Sequence, residues 1–169
     1  MDVLEFPVAA LRPWLLETVL PFWADTGLDR KEGGFFEELA PDCRPAPVDR
    51  KRCMVQARQI AVFSQAHMMG APPWALEAAR HGFRFLTGHY WDRAAGGWFH
   101  SVTRLGRPLD RRKDCYDHAF VLFAMAWLFA ASGDRAPLDW ANRTVDFLNG
   151  PLGDQRHGGY YEHVQEGLL

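Results

Sequence analysis

The chain has 169 residues, 48% of them hydrophobic, which suits a single domain with a sizeable core. Its formal net charge of −2 argues against a nucleic-acid partner, which normally meets a basic face. Seven Trp, twelve Phe and four Tyr make it aromatic-rich, a composition that fits a heavy core or a sugar-binding surface.

A helix over about 8–25 opens the chain. The first twenty residues carry Asp2, Glu5 and Glu17 and lack a basic start, so no signal peptide is expected. Then comes "GGFFEEL" at 33–39, the first of three Gly-Gly-aromatic-aromatic phrases. The others are "GGWFHSV" at 96–102 and "GGYYEHV" at 158–164, so the phrase recurs after 63 and then 62 residues. Two glycines permit a turn with positive φ, and paired aromatics before polar and β-branched residues suit a half-buried strand. The turn formers after the first two phrases, "APDCRPAP" and "TRLGRPLD", complete hairpins.

Between the first two phrases the pattern predicts two helices. The first, about 52–68, is apolar over much of its circumference and is expected to be buried. The second, about 73–90, carries Leu76, Ala79, Phe83 and Leu86 on one stripe, as an outer helix does. The next interval repeats this order. A mostly apolar helix spans about 114–131, and after "SGD" an amphipathic one spans about 137–149, with Leu138, Ala141, Val145 and Leu148 in register. The apolar run 119–131 is too short to span a bilayer comfortably, and no membrane partner is expected.

Hairpin, inner helix and outer helix in a fixed period predict an all-α fold of α/α-toroid type, with short hairpins at one end. The five helices would form about half a ring, as one domain over 1–169. Nothing reads as the polar cap with which helical arrays normally end.

Arg58 lies within the apolar "CMVQARQIAVF" helix, flanked by Gln56 and Gln59. A guanidinium there must be paired or line a polar cavity, and a buried structural ion pair explains it as well as a ligand site does. "DCYDHAF" opens the second inner helix. Asp114 is a natural N-cap, whereas Tyr116, Asp117 and His118 are more polar groups than capping requires, which favours a site. His100 and His163 read as surface strand residues. The histidines show no metal-ligand spacing, and neither a phosphate-binding glycine loop nor a Gly-x-Ser-x-Gly elbow occurs. The three cysteines, Cys43, Cys53 and Cys115, are odd in number and read as reduced thiols of a cytoplasmic protein.

Taken together, "RKRCMVQARQIAVFSQAHMMG", the stretch from "GGWFHSV" through "GRPLDRRKDCYDHAFVLFAMAWLFAASGD", and "GGYYEH" resemble the N-acylglucosamine 2-epimerase family over almost the whole chain. The resemblance implies an (α/α)6 barrel and interconversion of mono- or disaccharides at the carbon next to the carbonyl. It implies no redox cofactor, and the histidine spacing gives no reason to expect a metal. By the same resemblance Arg58 contacts the sugar near its reacting oxygens and Tyr116 contacts substrate, with Asp117 and His118 in the same binding segment. The family's catalytic histidines would lie beyond Leu169, so no catalytic residue is assigned. Six repeats of this period would need on the order of 370 residues, so weak activity is expected of these 169 alone. The expected partners are a sugar and either a second copy or a C-terminal half. Two other readings stand beside this one: a glycoside hydrolase on the same toroid, with Asp117 as general acid, and a non-catalytic binding module.

Overall fold

The computed structural model describes residues 8–165. The first helix is continuous but changes pitch. α1 (Val8–Trp14) passes through a π turn at Leu15–Val19 into α2 (Leu20–Thr26). Pro13 and Pro21 each remove an amide donor from the ladder and flank this widened turn. Leu20 is buried, while Leu15, Leu16 and Trp23 pack against the core from this helix.

The other four helices follow the predicted order. Inner α3 (Cys53–Met68) is followed by outer α4 (Trp74–His89), and inner α5 (Cys115–Ser132) by outer α6 (Arg135–Asn149). α3 packs against both α4 and α5, and α5 against α6 as well. α3 and α5 run in the same direction. Met54 of α3 meets Asp117 of α5, and one turn further on Arg58 meets Phe120.

Among the described residues, five short strands decorate the N-terminal ends of the inner helices. β1 (Lys51–Arg52), β2 (Ser101–Val102) and β3 (Pro108–Asp110) form one antiparallel sheet, and β4 (Lys113–Asp114) pairs with β5 (His163–Val164). Each strand that leads into an inner helix therefore pairs with the hairpin of the following repeat.

The three glycine phrases close one and the same eight-residue loop. Its ends pair as Leu28 with Phe35, Trp91 with Trp98 and Gly153 with Tyr160. In each loop an aspartate amide donates to the second glycine's carbonyl, and the first glycine's amide donates back to the aspartate carbonyl, all at 2.8–3.0 Å. Glycine is required at two of these positions for a packing reason as well. A Cβ on Gly34 would meet the Phe85 ring at 2.6 Å, and one on Gly97 would meet Phe147 at 2.5 Å, both at positive φ.

The core has its centre between the inner and outer helices. Phe35 stacks on Phe63 at 5.7 Å, and Trp91, Trp98 and Trp140 contact one another at 5.0–5.4 Å. Trp98 is fully buried, and its indole donates to Thr144 Oγ1 at 2.9 Å, which satisfies the ring's single donor.

One expectation needs correction. α3 and α5 are not buried all round. Val62, Met68, Phe123 and Phe129 are exposed, and so is Arg58, whereas Met125 is buried. On α3 the open stripe is Val55, Arg58, Gln59 and Val62, at i, i+3, i+4 and i+7. These positions share one face because the helix turns every 3.6 residues. Composition alone could not separate a stripe facing the middle of a ring from one facing the core, since both are apolar. α5 is long and apolar enough to cross a membrane, but it packs between α3 and α6 as a core helix does.

Candidate active-site face and the groups behind it

Arg58 and Tyr116 come together around one ring. Phe120 of α5 lies 5.6 Å below the Arg58 guanidinium and meets Tyr116 edge to face at 4.8 Å. Tyr116 is 59% exposed, and Arg58 is exposed beside a shallow recess of about 220 Å³ lined by Val55, Arg58, Gln59 and Val62. No carboxylate pairs with Arg58 among the described residues. Its charge is carried by solvent and the Phe120 face, not by the buried ion pair that the sequence left open. The face thus offers a planar cation, a phenol and an apolar ring edge.

Asp117 and His118 point elsewhere. Asp117 is 1% exposed, with one oxygen accepting from the Met54 amide at 3.1 Å and the other 2.7 Å from His100 Nδ1. Burial pushes its carboxyl above the usual range, and the hydrogen bond from His100 opposes this. Asp117 in turn raises His100 above its ordinary value, against the effect of burial. His100, expected as a surface strand residue, is instead half-buried and joins the second hairpin to both inner helices.

His118 is fully buried and stacked on Phe147 at 4.9 Å. Its Nδ1 donates to the Asp114 carbonyl at 2.7 Å, and its Nε2 accepts from the Trp98 amide at 3.0 Å. Burial lowers its pKa to about 4, so the ring is neutral and fixed in one tautomer. Asp114 caps α5 as expected, accepting from the Tyr116 amide at 2.9 Å. The ligand atoms of His100, Asp114 and Asp117 lie within 4.8 Å of one another, the one group among the described residues spaced to hold a cation. The contacts just given already account for all three.

Sequence reasoning missed a second set of buried groups. Lys51 is 1% exposed, with its ammonium 3.0 Å from Asp29, 2.6 Å from the Gly33 carbonyl and 4.4 Å above Phe85. Arg104 adds a fork onto the same aspartate at 2.7 and 3.1 Å. Burial alone would raise the Asp29 carboxyl, but the two cations outweigh it and hold it well below the usual range. Lys113 is equally buried and pairs with Asp92 at 3.0 Å. The signal was present, since each lysine stands two residues before the cysteine that opens an inner helix.

Hairpin-topped inner helices, each followed by an outer helix, define a segment of an α/α toroid. Residues 34–168 match the family model for N-acylglucosamine 2-epimerase (GlcNAc 2-epimerase), and the chain belongs to that family. It is 30% identical over 148 residues to a cellobiose 2-epimerase of Eubacterium cellulosolvens, covering 88% of this chain and 36% of that protein. It is 34% identical over 143 residues to a D-mannose isomerase of Thermobifida fusca, covering 82% of this chain and 34% of that one. Among solved structures, cellobiose 2-epimerase from Spirochaeta thermophila superposes with a TM-score of 0.88 at 39% identity, over 95% of this chain and 39% of its own. The chain therefore spans between a third and two fifths of these relatives. A family 76 glycoside hydrolase (mannosidase) from Bacteroides thetaiotaomicron shares the fold, with a TM-score of 0.68 at 19% identity.

Proposed function

We propose that this chain forms the sugar-binding wall of a 2-epimerase or aldose–ketose isomerase. The observation that carries this reading is the shared placement of Arg58 and Tyr116 around Phe120, on the face that the inner helices leave open. Membership of the epimerase family and the names of its similar proteins support it.

The chemistry sets out what such a face must supply. Removing the proton next to a carbonyl places charge on oxygen, and a fixed cation stabilises that enediolate more than it stabilises the neutral sugar. Arg58 has the charge and the planar fork for this, and Tyr116 offers a hydroxyl to a ring substituent. Asp117 and His118 act behind the face. Asp117 ties the first turns of α3 and α5 together, and so fixes where Arg58 and Tyr116 project. The proton-transferring groups are assigned outside the stripe, whose members Val55, Arg58, Gln59 and Val62 are aliphatic, cationic or amide. We place the protein in the cytoplasm, consistent with three unpaired thiols, and expect a further set of helices to cover Val62 and Phe123.

The hydrolase reading loses its general acid. Asp117 has both oxygens engaged and is buried, whereas a general acid must reach the glycosidic oxygen.

Saturation-transfer NMR with cellobiose and with mannose tests the proposal. Both sugars should receive magnetisation from the chain. Arg58→Ala should weaken binding by about 1.5–3 kcal/mol, the scale of a charged hydrogen bond, without lowering Tm. Absence of transfer to either sugar sinks the reading, and equal transfer from the variant removes Arg58 from it.

A further inference from the structure

The first two repeats differ at one place on their outer helices. Phe85 of α4 and Phe147 of α6 cover equivalent glycine pairs and stand 62 residues apart. By that offset Ala78 answers to Trp140, His81 to Arg143 and Arg84 to Asp146. In the second repeat the Trp140 ring fills the space beside the glycine loop, 5.4 Å from Trp91 and 5.2 Å from Trp98. In the first repeat Ala78 leaves that space open. The result is a recess of about 250 Å³, bounded by Leu28 of the loop, Ala24 of α2 and one face of α4. Trp74, Ala78, His81 and Arg84 share that face, at i, i+4, i+7 and i+10.

The recess is cationic. Arg30 enters it from the loop and spends one N–H group on the Ala24 carbonyl at 3.0 Å, which holds the guanidinium in place. Arg84 is exposed, and among the described residues no carboxylate pairs with it or with Arg30. The acids close by are already engaged. Glu77, on the rim, pairs with Arg80 at 3.0 Å, and Asp29 is held by Lys51 and Arg104. His81 donates from Nε2 to the Gly34 carbonyl at 3.0 Å and so ties α4 to the glycine loop. Burial lowers its pKa, backbone hydrogen bonds oppose this, and the charges of Arg84 and Arg30 lower it further. Both guanidiniums therefore act on one ring. The fold does not require this arrangement, since the second repeat builds the same helix with Asp146 in place of Arg84.

We propose that this recess binds a phosphate group. Two guanidiniums without carboxylate partners call for two negative charges, and their N–H forks match phosphate oxygens. A cleft lined by cations also concentrates anions from solution. The group arrives either as free phosphate or as the monoester of a small metabolite, whose carbon part would lie against Trp74. The inference is independent of the sugar reading, because the recess shares no residue with the α3 stripe.

Amide NMR titration of the full chain tests it, with inorganic phosphate and, separately, glycerol 3-phosphate. Sodium chloride keeps the ionic strength constant, so that screening does not change. Saturable shifts should centre on Arg30, Ala78, His81 and Arg84, with half-saturation below about 10 mM. Glycerol 3-phosphate binding at least about tenfold tighter than phosphate identifies a monoester as the ligand, and a smaller difference identifies phosphate itself. Arg84→Ala and Arg30→Ala should each weaken binding at least about tenfold, the scale of one lost charge-assisted hydrogen bond, without changing Tm. Arg84→Lys, which keeps the charge and loses the fork, should fall between the parent and Arg84→Ala. Arg84→Asp, the side chain that the second repeat tolerates at this place, should abolish binding. Failure of both probes to saturate overturns the inference. So do shifts that sodium chloride alone reproduces, or binding that survives Arg84→Asp in a folded chain.

Discussion

Gln56 and His118 stand 62 residues apart and perform one task, accepting a hydrogen bond from the amide of the aromatic that follows a glycine pair. That equivalence gives a sharp pH prediction. His118 has a folded pKa of about 4 against an ordinary 6.5, so between these values the unfolded chain binds the extra proton. Its contribution is complete above pH 6.5 and lost as pH falls through the folded value. Protonation of Nε2 would also remove the acceptor for Trp98. His118→Gln should therefore fold at neutral pH and lose less stability than the parent between pH 6.5 and about 4. Urea unfolding at a series of pH values measures the difference, and parallel pH profiles for the two proteins would defeat the assignment.

The glycine loops make the same kind of statement at the level of elements. Gly97 combines a φ of +73° with a Phe147 ring 2.5 Å from any Cβ, while Gly159 has a φ of +77° in open space. Gly159→Ala should cost only backbone strain, about 1–2 kcal/mol. Gly97→Ala adds a clash that the buried Phe147, itself stacked on His118, relieves only by moving. The expected loss exceeds that of Gly159→Ala by about 1–3 kcal/mol, the range for overpacking a core. Denaturant midpoints compare them directly, and equal losses would mean that the outer helix does not press on the second loop.

Stability is distributed unevenly across the whole molecule. The first two repeats lock each hairpin with a buried Lys–Asp pair and a buried aromatic, whereas residues 153–165 present two half-exposed tyrosines and an open loop. Regions with few buried apolar contacts open first. Limited proteolysis should cut within 153–165 well before any bond in α5 or α6, leaving a protected fragment that mass spectrometry identifies. Primary cleavage in 91–102, the matching loop of the second repeat, would contradict this ranking.

The repeat, the five helices and the alternation of inner with outer were legible in the sequence, because the 62-residue period, the Gly-Gly turns and the 3.6-residue stripes are local patterns. Asp114 as a cap was legible for the same reason. The roles of Arg58, Asp117, His118 and His100 were not. Arg58 looked buried because its neighbours are apolar, yet it stands on the stripe that no other described helix covers. Asp117 and His118 looked like a site because they are polar groups opening an apolar helix. Their side chains instead close hydrogen bonds to Met54 and Trp98, 63 and 20 residues away in the chain. Lys51 and Lys113 drew no reading from the sequence, because the hairpins that bury them come from distant parts of the chain. Local spacing determined the elements; only tertiary packing decided which polar groups stand on the open stripe and which ones tie hairpins to helices, because that depends on which helix face a distant hairpin covers.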